Sequence, residues 1–162
     1  FVFQDFMLLD GLTVRENVLV PKIIEGTVSK EDEERCVTLL KLFGIYGIRE
    51  KYPAEISGGE KQRTAVARSL MNQPLLILAD EPTGNLDSKS SRAVIDSFLE
   101  ARDQMNATIF MVTHDSFAAS FCDRVVLLKD GKVYKQLERV EERSQFQDRL
   151  LDAIKEMSGD DK

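Results

Sequence analysis

Two adjacent carboxylates follow an apolar run of strand length near the middle of the chain. Residues 75–79 form the run, and Asp80 and Glu81 come directly after it, before Pro82. Such a run is typical of a strand covered on both faces of a parallel sheet, and ligands bind at the carboxyl ends of these strands. Asp80 could therefore hold Mg²⁺ while Glu81 polarises a water molecule, as phosphoryl transfer requires. The alternative is a solvated strand end that the two acids cap.

A second segment, Ser57-Gly58-Gly59-Glu60, begins a predicted helix that runs to about Met71. Ser57 and Glu60 have the spacing of a capping box, which explains those two residues without any ligand. A cap does not need the glycines, because each costs about 0.5–1 kcal/mol relative to alanine inside a helix. Without side chains, Gly58 and Gly59 let the backbone N–H groups at the helix start approach a phosphate closely. The glycines therefore favour anion binding over a simple cap.

Two further polar side chains follow predicted strands. His114, the only histidine, comes after an apolar strand at residues 108–112, and Gln4 follows the apolar stub at residues 1–3. If these strands lie in one parallel sheet, both side chains stand at the same edge as the two acids. A lone histidine is more often structural than catalytic, and each of the four groups is weak evidence by itself. Together they form one site hypothesis.

The predicted elements give an α/β fold with a mainly parallel sheet, because strands separated by helices indicate parallel pairing. The last two strands flank Asp130-Gly131, a dipeptide that favours a tight hairpin turn. Pro21 is expected to end the first helix. The helices are predicted at residues 13–20, 29–43, 57–71, 89–105 and 115–121, and the strands at residues 75–79, 108–112, 125–128 and 133–137.

Length and composition predict one soluble globular domain that is not a general nucleic-acid binder. The chain has 162 residues, within the range of about 100–200 for one domain. Its net charge of -6 contrasts with the basic footprint of nucleic-acid binders. No apolar run approaches the roughly 20 residues needed to span a membrane, and no signal peptide is recognisable. Cys36 and Cys122 are too few for a disulfide framework, so reduced thiols are expected.

These segments together resemble the motifs of the ATP-binding subunit of ATP-binding cassette (ABC) transporters. Residues 57–63 are similar to the signature motif, residues 76–81 to the Walker B strand with its catalytic glutamate, and residues 84–87 to the D-loop. Val2-Phe3-Gln4 resembles the Q-loop, and His114 the switch histidine. The five motifs occur in the family's order with compatible spacing. The resemblance implies a P-loop NTPase-like ABC ATPase core with a mainly parallel sheet and an α-helical subdomain.

The resemblance also implies domain boundaries and the absence of one family motif from this sequence. It implies an ABC ATPase domain at residues 1–137, with the helical subdomain at about residues 5–72, and a charged helical tail at residues 138–162. The family's phosphate loop, G-x-x-x-x-G-K-[ST] (Walker A), does not occur in this sequence and lies upstream of the Q-loop in the family. We therefore expect an N-terminally truncated subunit that is inactive on its own.

A finer resemblance concerns the transporter group. Residues 78–88 are similar to the ATPases of the lipoprotein-release and macrolide-export group. Within that group, residues 61–65, 88–92 and 111–120 are most similar to bacitracin-type antimicrobial-peptide export ATPases. This similarity implies that ATP hydrolysis is coupled to the export or removal of a substrate such as an antimicrobial peptide or a lipid. The transported substrate itself is set by the membrane subunits.

The resemblance implies a role for each site residue. Asp80 would hold Mg²⁺ through water, with Gln4 completing the coordination and sensing the γ-phosphate of ATP. Glu81 would be the general base, and His114 would contact the γ-phosphate. The remaining cofactor-binding residues would act on the ATP bound to a second subunit or across the interface with it; they are Ser57, Gly58, Gly59, Glu60 and Asp87.

The resemblance further implies two partners: a second ATPase subunit in a head-to-tail homodimer, and a membrane-spanning transporter subunit. No nucleic acid is expected, and the subunit would lie peripherally at the cytoplasmic face of the cell membrane. The apolar residues 6–9 follow the Q-loop, and four such residues in an irregular loop cannot all face inward. Because exposed apolar clusters mark interfaces, this run is expected to line a groove for a cytoplasmic helix of the membrane subunit.

Two other interpretations remain open. Chromosome-maintenance and DNA-repair ATPases share these motifs, but in them a long coiled coil separates the Q-loop from the signature motif. Here a compact helical stretch without sustained heptads joins the two motifs, and the chain is acidic. The second interpretation is an interaction module that never hydrolyses ATP.

Overall fold

The computed structural model describes residues 1–159. The chain divides into two compact units, Phe1–Val112 (the first unit) and Thr113–Lys162 (the second unit). The first unit contains α1 Val14–Glu25, α2 Lys30–Leu42, α3 Gly58–Ser69, β1 Leu76–Asp80, α4 Ser88–Met105 and β2 Thr108–Val112, with short 3₁₀ turns at Tyr46–Ile48 and Pro53–Glu55. The second unit contains α5 Ser116–Ala119, β3 Arg124–Lys129, β4 Lys132–Glu138 and α6 Arg143–Gly159.

The sheet of the first unit is parallel. Strands β1 and β2 pair in parallel from Leu76 opposite Thr108 to Asp80 opposite Val112. Val2 adds a parallel bridge on the other side of β1: its N–H donates to the Leu78 carbonyl at 2.8 Å, and its carbonyl accepts from the Asp80 N–H at 2.9 Å. The α/β class with a mainly parallel sheet is therefore confirmed.

One face of this sheet is exposed, so the expectation that both faces of β1 are covered is wrong. Ile77 and Ala79 are almost fully buried in the core. On the opposite face, Leu76, Phe110 and Val112 remain 48%, 61% and 52% exposed. The core of the first unit is built by helices that pack against the Ile77–Ala79 face alone. An apolar run thus predicts that a strand tends to be buried. Whether both faces of the sheet are covered depends on which other elements pack against each face.

Helix α1 continues through Pro21 to Glu25, so the expectation that Pro21 ends it is also wrong. Proline inside a helix removes a hydrogen bond and costs about 3 kcal/mol. Here the buried residues Val14, Val18 and Leu19 stabilise the helix by tertiary packing, and a capping box at its start satisfies backbone groups. The helix ends at Gly26, whose φ of 114° side chains rarely allow.

The second unit is a hairpin with a helix packed on it. Asp130 and Gly131 form the turn between β3 and β4 with positive φ values of 51° and 72°, which confirms the predicted tight turn. Helix α6 buries one face against the hairpin; the residues of this cluster are Leu127, Leu137, Phe146, Leu150 and Ala153. The division into residues 1–137 and 138–162 stays a prediction, and residues 160–162 lie outside the described part of the chain.

Within residues 1–159, no helix is long and apolar enough to cross a membrane.

Candidate functional site

The carboxyl end of β1 carries a strained backbone at the second of the two acids. Asp80 is exposed and ends the strand, and Glu81 follows with a φ of 44°. The Glu81 N–H donates to the Val112 carbonyl at 2.9 Å, and the Glu81 carbonyl accepts from the Gly84 N–H at 3.0 Å. A left-handed residue with a side chain costs about 1–3 kcal/mol, and such strain clusters at active sites. The strain marks Glu81 as a candidate functional residue, and its catalytic role stays a prediction.

Gln4 lies beside the loop that follows Glu81. Its Nε2 donates to Asn85 Oδ1 at 3.1 Å, and Asn85 Nδ2 donates to Asp5 Oδ1 at 3.2 Å. A Cβ atom on Gly84 would lie only 2.9 Å from Gln4 Nε2 and 3.4 Å from the Glu81 carbonyl. The absence of a side chain at Gly84 thus allows the Gln4 amide to approach this loop. The structure therefore brings Gln4 together with the segment that follows Asp80 and Glu81.

Gly84→Ala is expected to displace the Gln4 side chain with little change in stability. The added methyl group would overlap with Gln4 Nε2, the mobile end of a long side chain, which can move aside. In ¹⁵N spectra, the Gln4 side-chain amide resonances should shift, while the Tm stays within about 2–4 °C, the change expected for 1 kcal/mol in a chain of about 150–250 residues.

The matched control is Gly47→Ala, since a Cβ at Gly47 meets no atom within 4 Å. That substitution should leave the Gln4 resonances in place. Unchanged Gln4 resonances in Gly84→Ala would contradict the close packing of the Gln4 amide against Gly84.

Oxygen donors suited to Mg²⁺ are present at this strand end. The exposed Asp80 supplies a carboxylate, and the Gln4 amide, which donates through Nε2, has its carbonyl oxygen as an acceptor. Mg²⁺ prefers oxygen ligands, keeps several waters and takes only one or two carboxylates from protein. No group of three or more His, Cys, Asp or Glu side chains that could hold a metal ion occurs within residues 1–159. The donor chemistry of Asp80 and Gln4 fits a largely hydrated Mg²⁺.

The signature segment forms a complete capping box at the start of α3. The Ser57 N–H and O–H both donate to the Glu60 carboxylate at 2.8 Å, and the Glu60 N–H donates to Ser57 Oγ at 3.3 Å. These hydrogen bonds hold the pKa of Glu60 below its usual value, the backbone N–H of Ser57 contributing most. The hydroxyl and carboxylate of this segment are therefore engaged with each other in this structure.

The glycines of the signature segment have a structural reason that the sequence did not reveal. A Cβ on Gly58 would lie 3.1 Å from Leu86 Cδ2, and a Cβ on Gly59 would lie 3.0 Å from Ser90 Cβ. Close packing against the segment that precedes and begins α4 thus accounts for both glycines. Packing therefore gives the two glycines a reason besides anion binding, and a phosphate contact at this helix start stays a prediction.

Acid is expected to weaken the Glu60 cap. Because the folded pKa of Glu60 lies below its usual value near 4.5, the cap stabilises the fold fully above that value and loses its effect as the pH falls through the folded pKa. Glu60→Gln keeps a side chain that can cap but removes the titration. We expect the Tm difference between pH 7 and pH 3.5 to be smaller in Glu60→Gln than in the unsubstituted chain.

The control for this prediction is Glu34→Gln. Glu34 lies in an exposed pair with Lys30 at 3.7 Å, and such pairs contribute little. Glu34→Gln should leave the pH dependence of the Tm unchanged, and an equal effect of both substitutions would contradict the role of the Glu60 cap.

Asp87 caps the next helix. Its Oδ1 accepts from the backbone N–H groups of Lys89 and Ser90, each at 3.0 Å, and its Oδ2 accepts from the Ser90 hydroxyl at 2.6 Å. These bonds, led by the Ser90 hydroxyl, lower the pKa of Asp87. Asp87 is exposed and has a clear structural role at the start of α4. Its contact across a subunit interface stays a prediction.

His114 belongs to the second unit, where it is exposed in a short turn. One hydrogen bond spans His114, since the Asp115 N–H donates to Thr113 Oγ1 at 3.0 Å. A second one follows it, in which Asp115 Oδ1 accepts from the Phe117 N–H at 2.8 Å. Asp115 thus caps α5 and fixes the backbone that follows His114. The other predicted site residues, namely Gln4, Ser57, Gly58, Gly59, Glu60, Asp80, Glu81 and Asp87, all belong to the first unit.

The apolar run after Gln4 is partly exposed, as expected. Met7 and Leu9 are 60% and 49% exposed, whereas Phe6 and Leu8 are partly buried. Fully buried Asn17 anchors the end of this run, accepting from the Leu9 N–H at 2.8 Å and donating to the Leu9 carbonyl at 3.0 Å. Two exposed apolar side chains therefore stand on a well-anchored loop.

Sequence reasoning missed the polar side chains that hold the Gln4 segment, which are Asn17, Gln62, Arg68 and Asn85. Gln62 is fully buried and donates to the Phe3 carbonyl at 3.1 Å. A signal for Gln62 exists, because it lies three and four residues before the apolar positions Ala65 and Val66 and thus on the inward face of α3. A polar residue on such a face needs a partner.

Comparison with known proteins identifies the family. A family model described as "ABC transporter" matches residues 1–84, which is more than half of the 162 residues. The chain belongs to the ABC transporter family. The expected resemblance and the ABC ATPase fold are therefore confirmed.

The proteins that are similar to this chain include two curated relatives and one solved structure. It is 45% identical to the ABC transporter ATP-binding protein YvcR of Bacillus subtilis, over 99% of this chain and 62% of the relative. It is 47% identical to the bacitracin export ATP-binding protein BceA of Halalkalibacterium halodurans, over 90% of this chain and 57% of the relative.

The solved structure is the dimeric ATP-binding cassette MJ0796 bound to ADP and Pi. It is 38% identical with a TM-score of 0.71, over 85% of this chain and 61% of that chain. This chain thus spans about 60% of the length of these relatives.

Proposed function

We propose that these 162 residues belong to the ATP-binding subunit of an ABC transporter, which couples ATP hydrolysis to the export or removal of a substrate such as an antimicrobial peptide or a lipid. The observation that carries the proposal is the strained Glu81 directly after Asp80, with Gln4 packed over the same loop. The 47% identity to a bacitracin export ATP-binding protein supports the antimicrobial-peptide class of substrate.

The proposed chemistry is assigned to three residues of the first unit. Asp80 and Gln4 would hold Mg²⁺, which when bound would neutralise charge on the phosphate oxygens of ATP. Glu81 accepts the proton of the attacking water as general base. The two backbone hydrogen bonds at Glu81 fix the position from which its carboxylate acts, so that little reorganisation is needed during the reaction.

The proposed assembly is a head-to-tail homodimer, because the similar cassette MJ0796 is dimeric and bound to ADP and Pi. In that assembly, the start of α3 with Ser57, Gly58, Gly59 and Glu60 faces the ATP of the second subunit. The dipole and N–H groups of this helix start favour the phosphate. Asp87 reaches the interface between the subunits. The proposed γ-phosphate contact of His114 rests on the motif resemblance alone.

The proposed second partner is a membrane-spanning transporter subunit, which keeps the ATP-binding subunit at the cytoplasmic face of the membrane. The exposed side chains of Met7 and Leu9 support this proposal, because they are apolar, adjacent to Gln4 and held on an anchored loop.

The function is tested in a longer chain, called here the extended subunit: these 162 residues preceded by a segment that carries the family's G-x-x-x-x-G-K-[ST] phosphate loop. We expect the extended subunit to hydrolyse Mg-ATP at a rate of up to about 100 s⁻¹, the upper end of the range typical of kinases. Phosphate release is the readout. No hydrolysis by a folded extended subunit, with or without membrane partner, would refute the proposed function.

The 162-residue chain alone is expected neither to bind ATP tightly nor to hydrolyse it. A phosphate loop supplies backbone N–H groups and a lysine to the phosphates, and no segment of this sequence has that pattern. The signature segment cannot replace it, since in the proposed dimer it faces the ATP of the second subunit. Calorimetry should detect no Mg-ATP binding in the micromolar range, and micromolar affinity would contradict the assignment.

A further inference from the structure

The loop after Gln4 contains two successive residues in a strained backbone conformation. Phe6 and Met7 have φ values of 62° and 50°, and neither is glycine. Residues with side chains enter this left-handed region singly, at about 1–2 kcal/mol each, and seldom in succession. Local hydrogen bonds from the Phe6 N–H to the Phe3 carbonyl and from the Met7 N–H to the Asp5 carbonyl close the turn. The conformation must be stabilised by contacts from outside the loop.

Arg68, near the end of α3, supplies such a contact. Its Nη1 donates to the Met7 carbonyl at 2.6 Å, and its Nη2 donates to the Phe6 carbonyl at 2.9 Å. One planar guanidinium group thus binds the carbonyls of both strained residues. Hydrogen bonds from a charged donor are roughly twice as strong as neutral ones. Lysine cannot reproduce this pair of bonds, because its ammonium group lacks the planar fork.

The middle of α3 binds the same loop, and the start of α3 lies near it. Gln62 donates to the Phe3 carbonyl, and the Phe6 ring lies 3.7 Å from the position that a Cβ of Gly58 would occupy. Two side chains along one helix, Gln62 and Arg68, therefore hydrogen-bond the backbone of the segment in which Gln4 lies. A rigid helix that is bound to a loop through both side chains moves with it.

We propose that Arg68 is a positioning residue, which makes the signature helix α3 and the Gln4–Met7 loop move as one body. The inference rests on the proposed function, since it links three roles assigned there. Gln4 contacts the ATP of its own subunit, Met7 faces the membrane partner, and Ser57 at the other end of α3 faces the ATP of the second subunit. Arg68 binds the backbone of Met7 itself, so displacement of Met7 by the partner is transmitted to α3.

The structural half of the proposal is tested by hydrogen exchange in the 162-residue chain. Arg68→Met and Arg68→Lys should both raise the exchange rates of the Phe6 and Met7 amides at least about tenfold, the factor that corresponds to the loss of about 1.4 kcal/mol. The control is Arg92→Met, which removes an exposed ion pair with Asp96. Equal exchange at Phe6 and Met7 in all variants would overturn the proposal.

The functional half is tested in the extended subunit. Arg68→Met should lower kcat about 10–100-fold, because small displacements of positioning groups have effects of that size, while KM for ATP changes less than about threefold. The loss of kcat in Gln4→Ala is the reference with which the double variant is compared. If Arg68 acts through the loop, the double variant Gln4→Ala/Arg68→Met should be no slower than Gln4→Ala, whereas independent losses would multiply.

The outcomes separate the proposal from its premises. Multiplying losses, or a kcat of Arg68→Met within twofold of the unsubstituted subunit, would overturn the positioning role. If Arg68 is needed only for folding, Arg68→Met will lower the Tm and the folded fraction but leave kcat per folded subunit unchanged. That result would also overturn the positioning role. If the unsubstituted extended subunit does not hydrolyse ATP, the proposed function fails and the positioning role fails with it, while the exchange rates still decide whether Arg68 holds the loop.

Discussion

In the extended subunit, Glu81→Gln is expected to retain ATP binding and to lose about 10²–10⁴-fold in the rate of hydrolysis. The amide preserves the size and hydrogen-bonding capacity of the side chain but cannot accept a proton. The backbone of Glu81 is fixed by hydrogen bonds from the Gly84 N–H and to the Val112 carbonyl, which do not involve the side chain. The substitution should therefore change the chemistry without changing the local fold.

Two measurements check this prediction. Phosphate release gives kcat, and calorimetry gives the affinity for Mg-ATP, which should stay within a few-fold. Light scattering should also detect a lasting ATP-bound dimer, because the hydrolytic step that opens it is blocked. Glu34→Gln, an exposed position on α2, serves as the control with unchanged hydrolysis. If Glu81→Gln hydrolyses ATP within a few-fold of the unsubstituted subunit, Glu81 is not the general base.

Met7→Asp is expected to weaken binding of the membrane subunit at least about tenfold while the fold is retained. The substitution removes an apolar side chain that is buried on binding, and the new carboxylate must be desolvated there. Residues that anchor an interface contribute about 2 kcal/mol or more to binding. The fold should tolerate the change, since Met7 is 60% exposed and aspartate accepts a positive φ better than most residues. Arg68 binds the backbone carbonyl, which the substitution keeps.

Co-purification of the extended subunit with its membrane subunit measures this effect, alongside the Tm and the ATPase rate without partner. Val140→Asp is a matched control, because Val140 is an exposed apolar residue in the loop between β4 and α6. It should co-purify normally. Undiminished co-purification of Met7→Asp, with a normal Tm, would show that the loop is not the contact surface.

The sequence alone sufficed for the features that depend on near neighbours. The capping box predicted at Ser57 and Glu60 joins residues three positions apart, and it forms in the structure. The turn at Asp130-Gly131 is equally local. The ordered motifs also sufficed to identify the ABC transporter family and with it the α/β fold, because each motif is a short contiguous segment.

The tertiary structure decided what depends on residues far apart in the chain. Gln62 and Arg68 bind carbonyls 59–62 positions away, and no local pattern specifies such partners. Likewise, only the folded chain shows that Leu86 closely approaches Gly58. Helix α1 continues through Pro21, and burial of Val14, Val18 and Leu19 stabilises it despite the lost hydrogen bond. Side-chain type and spacing determine which elements can form, but close approach between elements exists only after the chain has folded.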